Sequence, residues 1–242
     1  MRYILVLLGI WIFSMSAGFA GGVDSEGKRP SKVDMDVSLT SQHLWRGTAQ
    51  GAAPAVKPGL KFNITDDFNI TSGAVYSVDR SYDEVDVSMS YKISDFQISL
   101  SDYYAPEDNG YSSESLFNYE QQTTDHYLDL QFDYTPFRHM PLSFRMATAL
   151  YGNRFNEYNE NRYSTYLETN YKLQQADYWV DFFFGISPGN SFYSEKFNVV
   201  NMGMTFQKQF EYSNDQTFPI AASIVGNPAR KQLHVSFSLS LL

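Results

Sequence analysis

Apolar and polar residues alternate along nearly the whole chain from Val33 onward. In the first run Val33, Met35, Val37 and Leu39 fall on one face, and Asp34, Asp36, Ser38 and Thr40 on the other. Residues 84–93 repeat the pattern, with Val85, Val87, Met89, Tyr91 and Ile93 opposed to Glu84, Asp86, Ser88, Ser90 and Lys92. The last run sets Leu233, Val235, Phe237, Leu239 and Leu241 against Gln232, His234, Ser236, Ser238 and Ser240. Period two is the mark of a strand with one apolar and one polar face. Similar runs at 56–64, 68–78, 95–104, 124–134, 142–151, 162–173, 176–186, 197–206 and 218–225 bring the prediction to about twelve strands. Each is near the roughly 9–11 residues that cross a bilayer as a tilted strand.

The connections alternate too. Those at 79–83, 105–123, 152–161 and 187–196 are mostly long and rich in Asn, Glu, Ser and Tyr. Those at 65–67, 94 and 174–175 are tight, with 135–141 and 207–217 as longer exceptions. Long loops on one rim and short turns on the other are the habit of a bacterial outer-membrane barrel. The predicted fold is therefore all-β: an antiparallel up-and-down transmembrane β-barrel with both termini on the short-turn, periplasmic side.

A soluble sandwich also alternates, with its apolar face inward. Three features favour the membrane. Nearly every run alternates along its full length. Aromatics gather near strand ends, at Trp45, Tyr76, Tyr91, Tyr104, Tyr134, Tyr151 and Tyr171, as interfacial girdles require. The polar face carries charges of both signs at mid-strand, which suits a wet interior. By parity Trp45 continues the lipid-facing set, Arg46 enters the lumen near the mouth, and Gly47 releases the chain into the first outer loop. Arg46 there either pairs with a wall carboxylate or meets solute.

Residues 1–20 read as a secretory signal peptide: Arg2, an apolar run over 3–13, and small residues at 18–20. Residues 21–32 form a periplasmic leader and 33–242 the barrel. The 242-residue chain has no cysteine and a net charge of -9, so disulfides, thiolate metal sites and lipid-attached cysteine are excluded and nucleic acid is a poor partner. No cofactor or metal motif is present.

The polar parity names the pore-lining candidates: Arg46, Lys57, Lys61, Glu84, Asp86, Lys92, Asp129, Arg145, Arg162, Glu168, Lys172 and Asp181. Charged rings of this kind bias selectivity, and mixed signs predict a weak bias. Tyr103, Tyr166 and Trp179 share that face, where they either fill space or stack on sugars or bases. A plugged structural or adhesion barrel is the alternative, with 105–123 and its Asp108-Asn109-Gly110 turn folding inward. A lipid-active enzyme would draw on His43 and His126, both of outward parity near the outer rim, but no Gly-x-Ser-x-Gly nucleophile motif accompanies them. Asn63-Ile64-Thr65 and Asn69-Ile70-Thr71 match a glycosylation pattern only at a predicted periplasmic turn.

The stretch 39–62, with Leu44-Trp45-Arg46-Gly47 and Pro54-Ala55-Val56, resembles the opening of the TorF-type porin family, once catalogued as conserved hypothetical proteins. Glu84-Val85-Asp86 and Tyr103-Tyr104-Ala105-Pro106 resemble two of its strand motifs. His43 stands where tyrosine is expected, and the chain ends Leu241-Leu242 where such barrels usually end in an aromatic. The resemblance covers about the first half of the mature chain. It implies an outer-membrane barrel that passes small hydrophilic solutes, without naming one. Its partners would be outer-membrane lipid, those solutes and the barrel assembly machinery.

Overall fold

Strand pairing carries the chain around a closed ring. The computed structural model describes residues 32–106, 115–121, 123–136, 141–152, 161–213 and 216–241. The predicted signal peptide, nearly all of the leader and the Asp108-Asn109-Gly110 turn lie outside the described residues. The strands are β1 (Val33–Thr40), β2 (His43–Trp45), β3 (Thr48–Gln50), β4 (Ala55–Asn63), β5 (Phe68–Ser77), β6 (Asp83–Ile93), β7 (Phe96–Tyr104), β8 (His126–Tyr134), β9 (Leu142–Gly152), β10 (Thr165–Gln175), β11 (Tyr178–Ser187), β12 (Asn198–Ser213), β13 (Gln216–Asn227) and β14 (Gln232–Ser240). Twelve of them, β1 and β4 to β14, close an antiparallel barrel in which β1 pairs with both β4 and β14. β2 and β3 form a separate two-stranded sheet.

Register turns the sequence alternation into two surfaces. Met89, Leu100 and Leu130 lie side by side across β6, β7 and β8, all on the outside. Large apolar side chains stay exposed around the barrel, among them Met89 at 51%, Phe182 at 43% and Phe237 at 57%. The inward row beside them reads Ser88, Ser101, Asp129. Neighbouring inward hydroxyls bond across the strands, Ser88 to Ser101 and Ser90 to Ser99, each at 2.8 Å. Such cross-strand pairs are the unit from which a sheet face is stabilised. The molecule is inside-out relative to a water-soluble β domain: polar within, apolar without.

The described connections 64–67, 94–95 and 176–177 lie on one rim; 41–54, 78–82, 188–197 and 228–231 lie on the other. The long connection expected at 207–217 is corrected: β12 runs on to Ser213 and β13 starts at Gln216. β12 keeps its alternation through the polar run Gln207-Lys208-Gln209, because Lys208 pairs with Asp177 at 3.3 Å on the outer surface. Phe210 then stacks on Phe218 of β13 with centroids 6.0 Å apart. β10 starts three residues later than its alternation suggests, after Tyr163 takes a positive φ of 45°.

Candidate functional site: a hairpin across the lumen

β1 stops at Thr40, and the chain bends at Ser41-Gln42 into the β2–β3 hairpin. Trp45 pairs with Thr48, leaving Arg46-Gly47 as a two-residue loop with φ of 45° and 81°. Two positive φ values in succession are what a type I′ hairpin turn requires. Gly47 suits the second position doubly, since a Cβ there would run into the Val200 carbonyl. Arg46 at the first is a non-glycine residue in a costly backbone region, a cost that persists only where surrounding contacts impose it.

Those contacts are extensive. The Arg46 guanidinium is ion-paired with Asp129 of β8 and donates from Nη1 to the Tyr193 hydroxyl at 2.5 Å. It lies 4.6 Å from the Trp45 ring centroid and 5.2 Å from that of Tyr166. Asp129 also accepts from the Tyr127 hydroxyl at 3.2 Å, and it sits beside a register shift in the β8–β9 ladder, the kind of bulge that re-aims a side chain. On the facing wall, Ser236 of β14 donates to the Gln42 carbonyl at 2.9 Å, and Asn227 of β13 donates to the Gly47 carbonyl at 3.1 Å. β14 and β8 are diametrically opposed in the ring. The hairpin therefore bridges the lumen.

Trp45 is thus a lumen residue, correcting its expected place in the lipid-facing girdle. It stacks on Phe192 at 6.1 Å and meets Tyr103, Tyr127 and Tyr193. Parity carried through Ser41-Gln42 misplaced it, because the chain leaves the wall there. His43 is corrected for the same reason: it is 4% exposed, inside the barrel, with its ring 5.9 Å from Tyr82. Phe192 and Tyr193 belong to connection 188–197, which folds inward to meet the hairpin.

Beneath the hairpin lies a second polar group. Tyr166 donates to Glu168, and Asn201 donates to both, at 2.8 Å and 2.9 Å. Tyr166 fits because its wall neighbour is Gly185, whose Cβ would collide with the phenol. Tyr166 and Tyr103 therefore serve as packing around the hairpin. Arg145 donates to Asp133 at 2.7 Å and lies 3.9 Å from Glu168. Lys57, Lys61, Glu84, Asp86, Lys172 and Asp181 occupy the inward register of β4, β6, β10 and β11. Lys92 is on the same register at the short-turn rim, exposed. Arg162 is not on the wall: it precedes β10 and pairs with Glu195 of connection 188–197 at 2.5 Å.

A cavity remains beside the hairpin. It extends from Trp179 and Gln207 near the short-turn rim up to Arg46 and Gly47, and serines 38, 223, 236, 238 and 240 line much of it. Phe192, Tyr193, Asn201 and Asn227 were not anticipated as site residues. Their sequence signal is weak, because they become neighbours only when the hairpin folds inward.

On the outer surface, Tyr76, Tyr91, Tyr134 and Tyr171 are exposed near strand ends. His126 keeps its outward parity, but residues 115–121 cover it. Its Nδ1 faces Asp102 at 2.8 Å, its Nε2 faces the Leu116 carbonyl at 2.8 Å, and Tyr119 stacks on its ring at 4.0 Å.

No family model matches the chain, and no curated protein matches it. Among solved structures it is similar to a KdgM porin, at 10% identity and TM-score 0.47, over 85% of this chain and 95% of that one. It is similar to a NanC porin at 10% identity and TM-score 0.47, over 86% of this chain and 98% of that one. Pseudomonas aeruginosa OprD aligns at 13% identity and TM-score 0.35, over 86% of this chain and 65% of that one.

Proposed function

We propose that this chain is an outer-membrane channel for small hydrophilic solutes, with the β2–β3 hairpin as its built-in constriction. The observation that carries the reading is the inside-out barrel, with a hairpin that bridges the lumen and leaves a polar cavity beside it. A contiguous exposed apolar belt of this size calls for lipid, and closure of twelve strands satisfies the backbone groups that lipid cannot. Twelve strands also enclose more than the side-chain-filled interior of eight. The motif resemblance to TorF-type porins agrees with it, and the reading includes export by signal peptide 1–20 and insertion by the barrel assembly machinery.

The inward residues Lys57, Lys61, Glu84, Asp86, Lys172 and Asp181 then line the solute path. Arg46, Asp129, Arg145 and Glu168 shape it by holding one another. Because Arg46 and Arg145 are tied to carboxylates and the remaining inward charges are of mixed sign, ion selectivity is weak. A channel is favoured over a lipid-active enzyme, since His126 has both ring nitrogens engaged and His43 is buried in the lumen.

The hairpin's bonds to both walls favour one second reading, a plugged barrel. Single-channel conductance of the refolded protein in a planar bilayer separates the two. Discrete steps support the channel; a folded barrel that never conducts supports the plug.

A further inference from the structure

The cavity has one wall unlike the rest. β11 turns Trp179, Asp181 and Phe183 inward in succession, so that a carboxylate stands between two aromatic rings. Asp181 is 3% exposed, and neither of its carboxylate oxygens has a hydrogen-bond partner among the described residues. Further up the same wall, Asn201 spends its amide nitrogen on Tyr166 and Glu168 and leaves its carbonyl oxygen unbonded. Buried acceptors without donors are costly, so this wall is built to receive donors. The ammonium of Lys172 lies 4.6 Å from the Trp179 ring centroid. Asp181 is paired across the strands with Lys172 on one side and Thr205 on the other.

We propose that this wall is a binding station for a short neutral oligosaccharide. One ring rests a C–H face against Trp179 while its hydroxyls donate to Asp181, and a linked ring reaches Asn201. Four residues of strand separate the level of Asp181 from that of Asn201, about 13 Å, which calls for more than one sugar ring. A sugar supplies what the wall lacks, several O–H donors on a body with an apolar face. An acidic sugar is disfavoured, because its carboxylate would meet the carboxylate of Asp181, which has no hydrogen-bond donor among the described residues. The nearby cations do not cancel this, since Lys172, the cross-strand neighbour of Asp181, is held over the Trp179 ring. Arg46 is already paired with Asp129, and Lys57 lies across the lumen on β4. The inference rests on the channel reading for the route by which sugar arrives, but binding is measurable without conduction.

The test is calorimetry on the refolded barrel in detergent micelles, with maltotriose and raffinose as neutral probes and trigalacturonate as the acidic one. A heat-dependent gel shift checks folding of every variant. Binding of a neutral trisaccharide in preference to trigalacturonate, weakened roughly tenfold by Asp181→Asn and by Trp179→Ala, is the expected result. A folded barrel that binds neither neutral probe overturns the proposal. So does binding that both variants leave unchanged, or a preference for the acidic probe. Conductance in sugar-free buffer is recorded on the same samples. A barrel that conducts but binds no sugar sinks this inference alone, and one that binds sugar but never conducts sinks the channel reading instead.

Discussion

Arg46 and Asp129 are separated by 83 residues of sequence and joined across the barrel lumen by a buried ion pair, their side chains 8% and 1% exposed. The pair fixes the tip of the β2–β3 hairpin to the wall opposite its base. Removing one partner of such a pair strands a buried charge and costs roughly 3–5 kcal/mol. Asp129→Ala is therefore expected to lower the heat-shift midpoint and to raise single-channel conductance as the tip comes free. Exchanging the two charges, Arg46→Asp with Asp129→Arg, should recover part of the stability. If Asp129→Ala left both conductance and midpoint unchanged, the hairpin would not be held by this pair.

Gly185 and Tyr166 form a lock of a different kind, steric rather than ionic. Gly185→Ala pushes a methyl group into the phenol and is expected to cost about 1–3 kcal/mol in urea unfolding. Adding Tyr166→Ala to Gly185→Ala should make the methyl nearly free. Additive losses in the double variant would show that the contact is not what constrains either residue.

The orientation of the wall is open to a chemical test, because the chain has no cysteine of its own. Single cysteines at Leu100 and Phe182 should react with lipid-soluble thiol reagents and resist charged ones. Cysteines at Ser99 and Ser236 should show the reverse. Reactivity that failed to alternate along β7 would sink the inside-out arrangement.

Outside the barrel, Tyr119 donates to Asp102 at 2.8 Å, and its hydroxyl is pushed up to about 12, first by burial and then by the Asp102 hydrogen bond and charge. An unfolded tyrosine ionises near 10. The neutral phenol is the form the fold favours, so its contribution is complete below about pH 10 and lost as pH rises toward about 12. In a difference titration at 295 nm, Tyr119→Phe should remove one late tyrosinate step, and Asp102→Asn should move that step to lower pH. A step near 10 in the unaltered protein would contradict the contact.

The wall of the barrel was legible because one physical rule governs all twelve strands: a polar residue facing lipid is expensive, so alternation is kept almost without exception. Met89, Leu100 and Leu130 announce their neighbours by that rule alone. The hairpin was hidden by the same rule. His43 and Trp45 continue the parity of Leu39, and nothing in composition marks the bend at Ser41-Gln42 where the chain leaves the sheet. The one clue was Arg46-Gly47, a loop dipeptide that reads as a strand end until both φ values are known to be positive. Arg162 misled in the opposite direction, since a loop residue beside a strand takes a parity by accident. Trp179 and Asp181 were placed correctly on the inner face, but the lack of a donor at Asp181 is a property of three dimensions. It follows from what its cross-strand neighbours are already doing, since Thr205 bonds with Ser223 and Lys172 sits over the Trp179 ring.

The seam of the ring is uneven. Among the described residues β1 pairs with β4 over eight residues and with β14 over three, from Ser38 to Thr40, with the Leu241 amide donating to the Val37 carbonyl at 2.8 Å on one side of them. At their other end the Ser41 amide donates to the Phe237 carbonyl at 2.8 Å, and Ser236 donates to Gln42 as the hairpin begins. The segment that crosses the lumen thus also helps fasten the first strand to the last. A variant that widens the passage by shortening this segment would loosen the closure of the cylinder as well. In the proposed channel, permeability and closure of the ring are thereby coupled, and selection on one acts on the other.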